Sequence, residues 1–135
     1  MIVVDASAWA YALIDAGSAG NAARLVLADD PDWLMPAHAP VEVLRTIRRY
    51  ESTGSLSTAA AAEFAATVCR RECRYASPEP WLLAAVWSYR HNVSPYDAPY
   101  VALAVRFDVP LVTFDRRLAK AAKAEDVSAM MPDQA

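Results

Sequence analysis

The sequence predicts an α/β protein of three layers, with a central parallel sheet of four to five short strands flanked by about seven helices. Short, largely apolar runs such as Ile2-Val3-Val4 and Leu111-Val112-Thr113 have the length and composition of buried parallel strands. Between them lie segments of helical periodicity, and alternation of the two kinds calls for parallel strands covered on both faces. The chain has 135 residues, enough for one core and too few for two.

Taken in order, Ile2-Val3-Val4 forms the first strand and ends at Asp5. Helices follow over Ser7 to Ile14 and Asn21 to Leu27, closed by the loop Asp29-Asp30-Pro31-Asp32. Trp33-Leu34-Met35 is the second strand, stopped by Pro36. The segment Pro40 to Tyr50 carries Val41, Leu44 and Ile47 on one helical face. After the turn Thr53-Gly54-Ser55, a helix runs from Ser57 to Arg74, capped by Ser57 or Thr58. Cys69 and Cys73 share a face of it and read as small buried hydrophobes. Tyr75-Ala76 makes a short third strand. Helices over Glu79 to Arg90 and Asp97 to Phe107 lead to the strand Pro110 to Thr113. Arg116 to Ala124 is the last helix, and Val127 to Met130 supplies an edge strand.

Hydrophobic residues make up 56% and charged residues 21%, the mix of an ordered globule. No apolar run reaches membrane-spanning length, and the N-terminus lacks the basic region of a signal peptide, so the expected location is cytoplasmic. A net charge of −3 excludes a protein that holds nucleic acid by bulk positive charge. It leaves open an enzyme that borrows positive charge from metal ions.

Four acids have unusual settings. Asp5 and Asp115 stand just past the ends of the first and fourth strands, the side of an open parallel sheet where ligands bind. Glu42 sits between Val41 and Val43, and Asp97 stands at the mouth of a very apolar helix beside Pro99. Singly, each has a structural reading. Asp5, Asp97 and Asp115 suit helix N-caps, Ser94 and Asp97 suit a capping box, and Glu42 suits a solvated first turn. Together they point elsewhere. Two carboxylates about 4 Å apart repel by roughly 4 kcal/mol at an effective dielectric near 20, so a cluster of four calls for cations. An all-oxygen set suits Mg²⁺ or Mn²⁺. Arg116 and Arg117 open a helix, against its dipole, which is reasonable if they face acids or phosphate.

At Val3-Val4-Asp5-Ala6-Ser7, Pro40-Val41-Glu42-Val43, Tyr96 to Ala104 and Leu111 to Leu118, the sequence resembles PIN-domain proteins, specifically VapC-type toxins of type II toxin–antitoxin pairs. The likeness covers residues 1 to 131 as one PIN-like domain, leaving 132 to 135 as a short tail. It implies that Asp5, Glu42, Asp97 and Asp115 are catalytic and bind one or two Mg²⁺ or Mn²⁺ ions, with Ser7 and Thr113 in support. It also implies an endoribonuclease acting on RNA and leaving 5′-phosphate and 3′-hydroxyl ends. The implied partners are a cognate VapB-type antitoxin, a second copy in a homodimer, and a toxin–antitoxin hetero-oligomer that meets operator DNA only through the antitoxin. Some relatives carry a further acid after the position of Asp115, whereas Arg116 and Arg117 follow here.

Arg116, Lys120 and Lys123 follow helical spacing and could form a basic strip for RNA or a solvated face. Arg45, Arg48 and Arg49 are free to meet RNA, antitoxin or Glu51, and His38 and His91 read as loop or cap residues. The alternative function is a catalytically weak PIN-like module that binds RNA or protein without cutting. An aspartyl-phosphate phosphatase would want an acid where Ser7 stands, and a dinucleotide fold would want glycines that Ala6-Ser7-Ala8 does not supply.

Overall fold

In the computed structural model, which describes residues 1–134, five strands form a single parallel sheet. They are β1 (Ile2–Val4), β2 (Trp33–Pro36), β3 (Arg74–Ala76), β4 (Leu111–Val112) and β5 (Ala129–Met130), in the order β3-β2-β1-β4-β5. β1 is central because all three of its side chains are buried, and an uninterrupted apolar strand needs cover on both faces. It pairs with β2 through Ile2↔Trp33 and Val3↔Leu34, and with β4 through Val3↔Leu111 and Val4↔Val112. The strand order therefore reverses between β1 and β4. Ligands bind outside the carboxyl ends of the strands at such a reversal.

The seven helices are α1 (Ala6–Ile14), α2 (Ser18–Asp29), α3 (Ala39–Ser52), α4 (Thr58–Arg70), α5 (Pro80–Ser88), α6 (Ala98–Phe107) and α7 (Arg116–Ala124). α6 lies across β1, β2 and β4, and every residue from Ala98 to Ala104 is buried. A helix apolar all round belongs inside. It ends on Asp108, whose φ of 51° closes the last turn in the left-handed region. α1 packs against α2 and α3, and α3 against α4. The α1–α2 corner needs Gly20, since a Cβ there would stand 1.9 Å from the Asp15 carbonyl oxygen. Pro132–Gln134 form a 3-10 turn packed against α2, with Pro132 buried, and Ala135 lies outside the described residues.

The fourth helix departs from its expected bounds. It stops at Arg70, not Arg74, so Cys69 and Cys73 do not share a helical face. Cys69 is exposed and Cys73 half-buried. The cause is tertiary, because Arg74, Tyr75 and Ala76 pair with Leu34, Met35 and Pro36. Arg71 secures the turn by lying 3.6 Å over the Trp33 ring and donating to the Pro31 carbonyl. The expected N-cap Ser57 does cap α4, accepting from the Ala60 N–H.

Candidate active site

At the β1–β4 boundary two hydroxyls organise two acids. Thr113 Oγ1 donates to Asp5 Oδ2 at 2.7 Å and accepts the Asp115 N–H at 2.9 Å. Ser7 Oγ donates to the same Asp5 oxygen at 2.6 Å and accepts the Phe114 N–H at 3.0 Å. Each hydroxyl thus spends its proton on Asp5 and takes a backbone proton from the chain leaving β4. Asp5 occupies the N-cap position of α1 yet makes no capping bond with its side chain. Asp115 does cap α7, its Oδ1 accepting from the N–H groups of Arg117 and Leu118.

Glu42 and Asp97 complete the lining. Tyr100 of α6 donates its hydroxyl to Glu42 Oε1 at 2.9 Å, and His38 Nε2 stands 3.1 Å from the same oxygen. His38 Nε2 also lies 2.8 Å from the Tyr96 carbonyl oxygen, so this nitrogen carries the proton. Asp97 opens α6 without capping it, and Pro99 sits in the first turn, where its missing N–H removes no helical bond. The Asp97 N–H donates to Ser94 Oγ at 3.2 Å, half of a capping box.

The four acids line one cleft of about 300 Å³, together with Ser7 and, from α3, Arg45, Thr46 and Arg49. Their mutual influence is visible in their acidity. Asp5 is 6% exposed, and its pKa is raised to about 6. Burial is the main cause; the Ser7 and Thr113 hydrogen bonds oppose it, and the charges of Glu42 and Asp97 add to it. Asp97 is raised by burial first and then by Asp115 and Glu42. His38 is raised, chiefly by its bond to Glu42.

Among the described residues, no three His, Cys, Asp or Glu side chains stand close enough to hold one ion. Each acid is held by its own donors: Asp5 by two hydroxyls, Glu42 by Tyr100 and His38, Asp97 by Ser94, and Asp115 by a helix terminus. The donor set, four carboxylates lining one cleft, has the chemistry that suits a hard divalent cation.

All four predicted acids and Ser7 therefore meet in one place, and Thr113 is buried directly behind it. The predicted basic strip does not line it. Arg116, Lys120 and Lys123 are exposed, and Arg117 and Lys120 line a separate cleft with Tyr89 and Glu125. Neither Arg116 nor Arg117 forms an ion pair among the described residues. The cations of the acid cleft are Arg45 and Arg49. Sequence carried a signal for them: Glu42, Arg45, Thr46 and Arg49 follow i, i+3, i+4, i+7, one face of a helix. Tyr100 had no such signal, since its partner Glu42 is 58 residues away.

With this geometry in hand, comparison with known proteins places the chain. The family model for the PIN domain matches residues 2–124. Ribonuclease VapC9 of Mycobacterium tuberculosis is 35% identical over 132 residues, 98% of this chain and 99% of that one. Ribonuclease VapC1 of the same organism is 60% identical over 42 residues, which are 31% of this chain and 32% of that one. Among solved structures, M. tuberculosis VapC20, described as a sarcin-ricin loop cleaving toxin, superposes with a TM-score of 0.69 at 20% identity, over 90% of this chain and 95% of that one. A chain of FitAcB from Neisseria gonorrhoeae reaches 0.74 at 14% identity, over 98% of each chain. The chain belongs to the PIN-domain family and, within it, to the VapC ribonucleases.

Proposed function

We propose that this protein is a metal-dependent endoribonuclease toxin, neutralised by a cognate antitoxin. The observation that carries the reading is the cleft in which Asp5, Glu42, Asp97 and Asp115 converge beside two arginines. Near-full-length similarity to a VapC ribonuclease supports the same reaction class.

In this reading Asp5, Glu42, Asp97 and Asp115 hold one or two Mg²⁺ or Mn²⁺ ions. When bound, such an ion lowers the pKa of a coordinated water and offsets charge on a phosphodiester. The chain's own residues do the rest. Ser7 and Thr113 hold Asp5 Oδ2, so that Asp5 has one oxygen fixed and Oδ1 free of protein hydrogen bonds among the described residues. Tyr100 and His38 fix Glu42 by its Oε1. The α7 terminus holds Asp115 by Oδ1. Arg45 and Arg49 bring cations to the phosphate from the α3 side, and Arg116, Lys120 and Lys123 form an outer basic strip along which RNA approaches.

The partners follow from the same reading: an RNA substrate, a VapB-type antitoxin, a homodimer and a toxin–antitoxin hetero-oligomer, with operator DNA reached only through the antitoxin. No helix among the described residues is long and apolar enough to cross a membrane, in keeping with a cytoplasmic site of action.

The test is cleavage of RNA by purified protein in Mg²⁺ or Mn²⁺, beside Asp97→Asn. Cleavage by wild type and none by the variant is expected. Equal cleavage by both would remove Asp97 from the chemistry. Binding without cleavage by wild type would favour the weak PIN-like module.

A further inference from the structure

Beside the acid cleft a second cleft of about 280 Å³ opens, and the two share Ser7, Thr46 and Arg49. Its character differs. Where the first is lined by carboxylates, the second presents Tyr11, Tyr50, Asp15 and Leu56. Tyr11 lies on the helix whose Trp9 is almost wholly buried, yet its own side chain is 39% exposed. It is not loose: its ring stacks on Phe114 with centroids 4.4 Å apart and planes 26° from parallel.

Phe114 fixes that stack relative to the chemistry. Its N–H is bound by Ser7 Oγ, which also holds Asp5, and the next residue along the chain is Asp115. A planar aromatic surface is thereby tied through backbone and one hydroxyl to two of the four acids. Arg49 stands in both clefts, 5.9 Å over the Tyr50 ring, and forms no ion pair among the described residues. An aromatic face, a cation beside it and an adjoining acid cleft present in turn the chemistry that takes a base, a phosphate and a scissile bond. Stacking on side chains demands a base already free of its own stack.

We propose that this second cleft is a nucleobase subsite for single-stranded RNA. A base next to the scissile bond lies on the Tyr11–Phe114 stack, and Arg49 meets the phosphate joining it to the acid cleft. The subsite rests on the endoribonuclease reading for its orientation. What it adds is a place and a set of residues for the base beside the scissile bond.

The test separates binding from cleavage. A 3′-labelled, mixed-sequence, single-stranded RNA oligonucleotide is titrated with wild type, Tyr11→Phe and Tyr11→Leu in EDTA at low salt. Tyr11→Leu is chosen because it keeps apolar cover over Phe114, and its melting transition reports whether the fold is intact. Wild type and Tyr11→Phe should bind alike, Tyr11→Leu on the order of tenfold more weakly, and the same oligonucleotide as a duplex more weakly than the single strand. Equal binding by wild type and Tyr11→Leu, a duplex bound as tightly as the single strand, or no binding by wild type would each overturn the subsite. Cleavage in Mn²⁺ is scored separately. Its absence from wild type would overturn the endoribonuclease reading while the binding comparison still decides the subsite.

Discussion

Thr113 Oγ1 donates to Asp5 Oδ2 at 2.7 Å across 108 residues of sequence, and the same hydroxyl accepts the Asp115 N–H. One buried oxygen therefore joins the acid that follows β1 to the acid that follows β4. Thr113→Val keeps the shape and removes both bonds. The expected loss is about 1–3 kcal/mol, the cost of leaving buried partners unpaired, with cleavage falling as Asp5 and Asp115 lose their common anchor. Thr113→Ser should restore most of both. Denaturant unfolding of the two variants against wild type, with cleavage rates alongside, measures it.

The raised pKa of Asp5 makes stability depend on pH. Its folded value of about 6 exceeds the unfolded value of 3.8, so the folded state holds its proton more tightly. The destabilisation from ionising Asp5 is absent below the unfolded value and fully present above the folded one. Metal-free wild type should lose stability as pH rises from about 4 to above 6, by on the order of 2 to 3 kcal/mol from this group. Asp5→Asn should flatten that slope and be the more stable protein at pH 7. Urea midpoints in EDTA across the range decide it, and a slope unchanged by Asp5→Asn would refute the assignment.

Divalent cation should reverse the penalty. A ligand that binds the folded state alone stabilises it by about 2.7 kcal/mol at a hundredfold excess over its dissociation constant. Added Mn²⁺ should raise the melting temperature of wild type, and the rise should shrink in Asp97→Asn and Asp115→Asn. Equal shifts in all three proteins would mean that the ion binds elsewhere.

Arg45 and Arg49 line the acid cleft, whereas Arg116 does not. Arg49→Ala should weaken RNA binding and lower the salt slope by about one, the signature of one lost phosphate contact. Arg116→Ala should lower the slope less, and it removes a cation from a helix N-terminus, so the free protein should be slightly more stable. A salt series of binding curves for both variants ranks them.

The difference between those arginines shows what the sequence carried. Strand ends were legible because apolar runs stop abruptly at Asp5, Pro36 and Asp115, and the adjacency of β1 and β4 then brought the acids together as expected. Ser7 and Thr113 came from resemblance to a family; Ser7 is two residues from Asp5, but no local pattern announces that Thr113 serves an acid 108 residues away. Arg116 drew attention through its clash with a helix dipole, a local signal, but its side chain stays outside the cleft. Arg49 was the better candidate by its helical spacing from Glu42. The end of α4 was misplaced for a related reason: Arg74 to Ala76 leave a helical pattern because β2 offers them a partner. Periodicity reports which face a residue shares with its neighbours in sequence, and says nothing of the edge waiting for it across the fold.

Because β1 lies between β2 and β4, the centre of the sheet stays open until Leu111 and Val112 are in place. A nascent chain that has emerged as far as Phe107 already carries Asp5, Glu42 and Asp97. It still lacks the strand that covers one flank of Ile2–Val4, the second of the two hydroxyls that hold Asp5, and the fourth acid. Contacts spanning so much of the chain form late, since the closure entropy must be met first. Closing the sheet and completing the acid cleft are thus a single event, since the strand that covers β1 also brings Thr113 and Asp115.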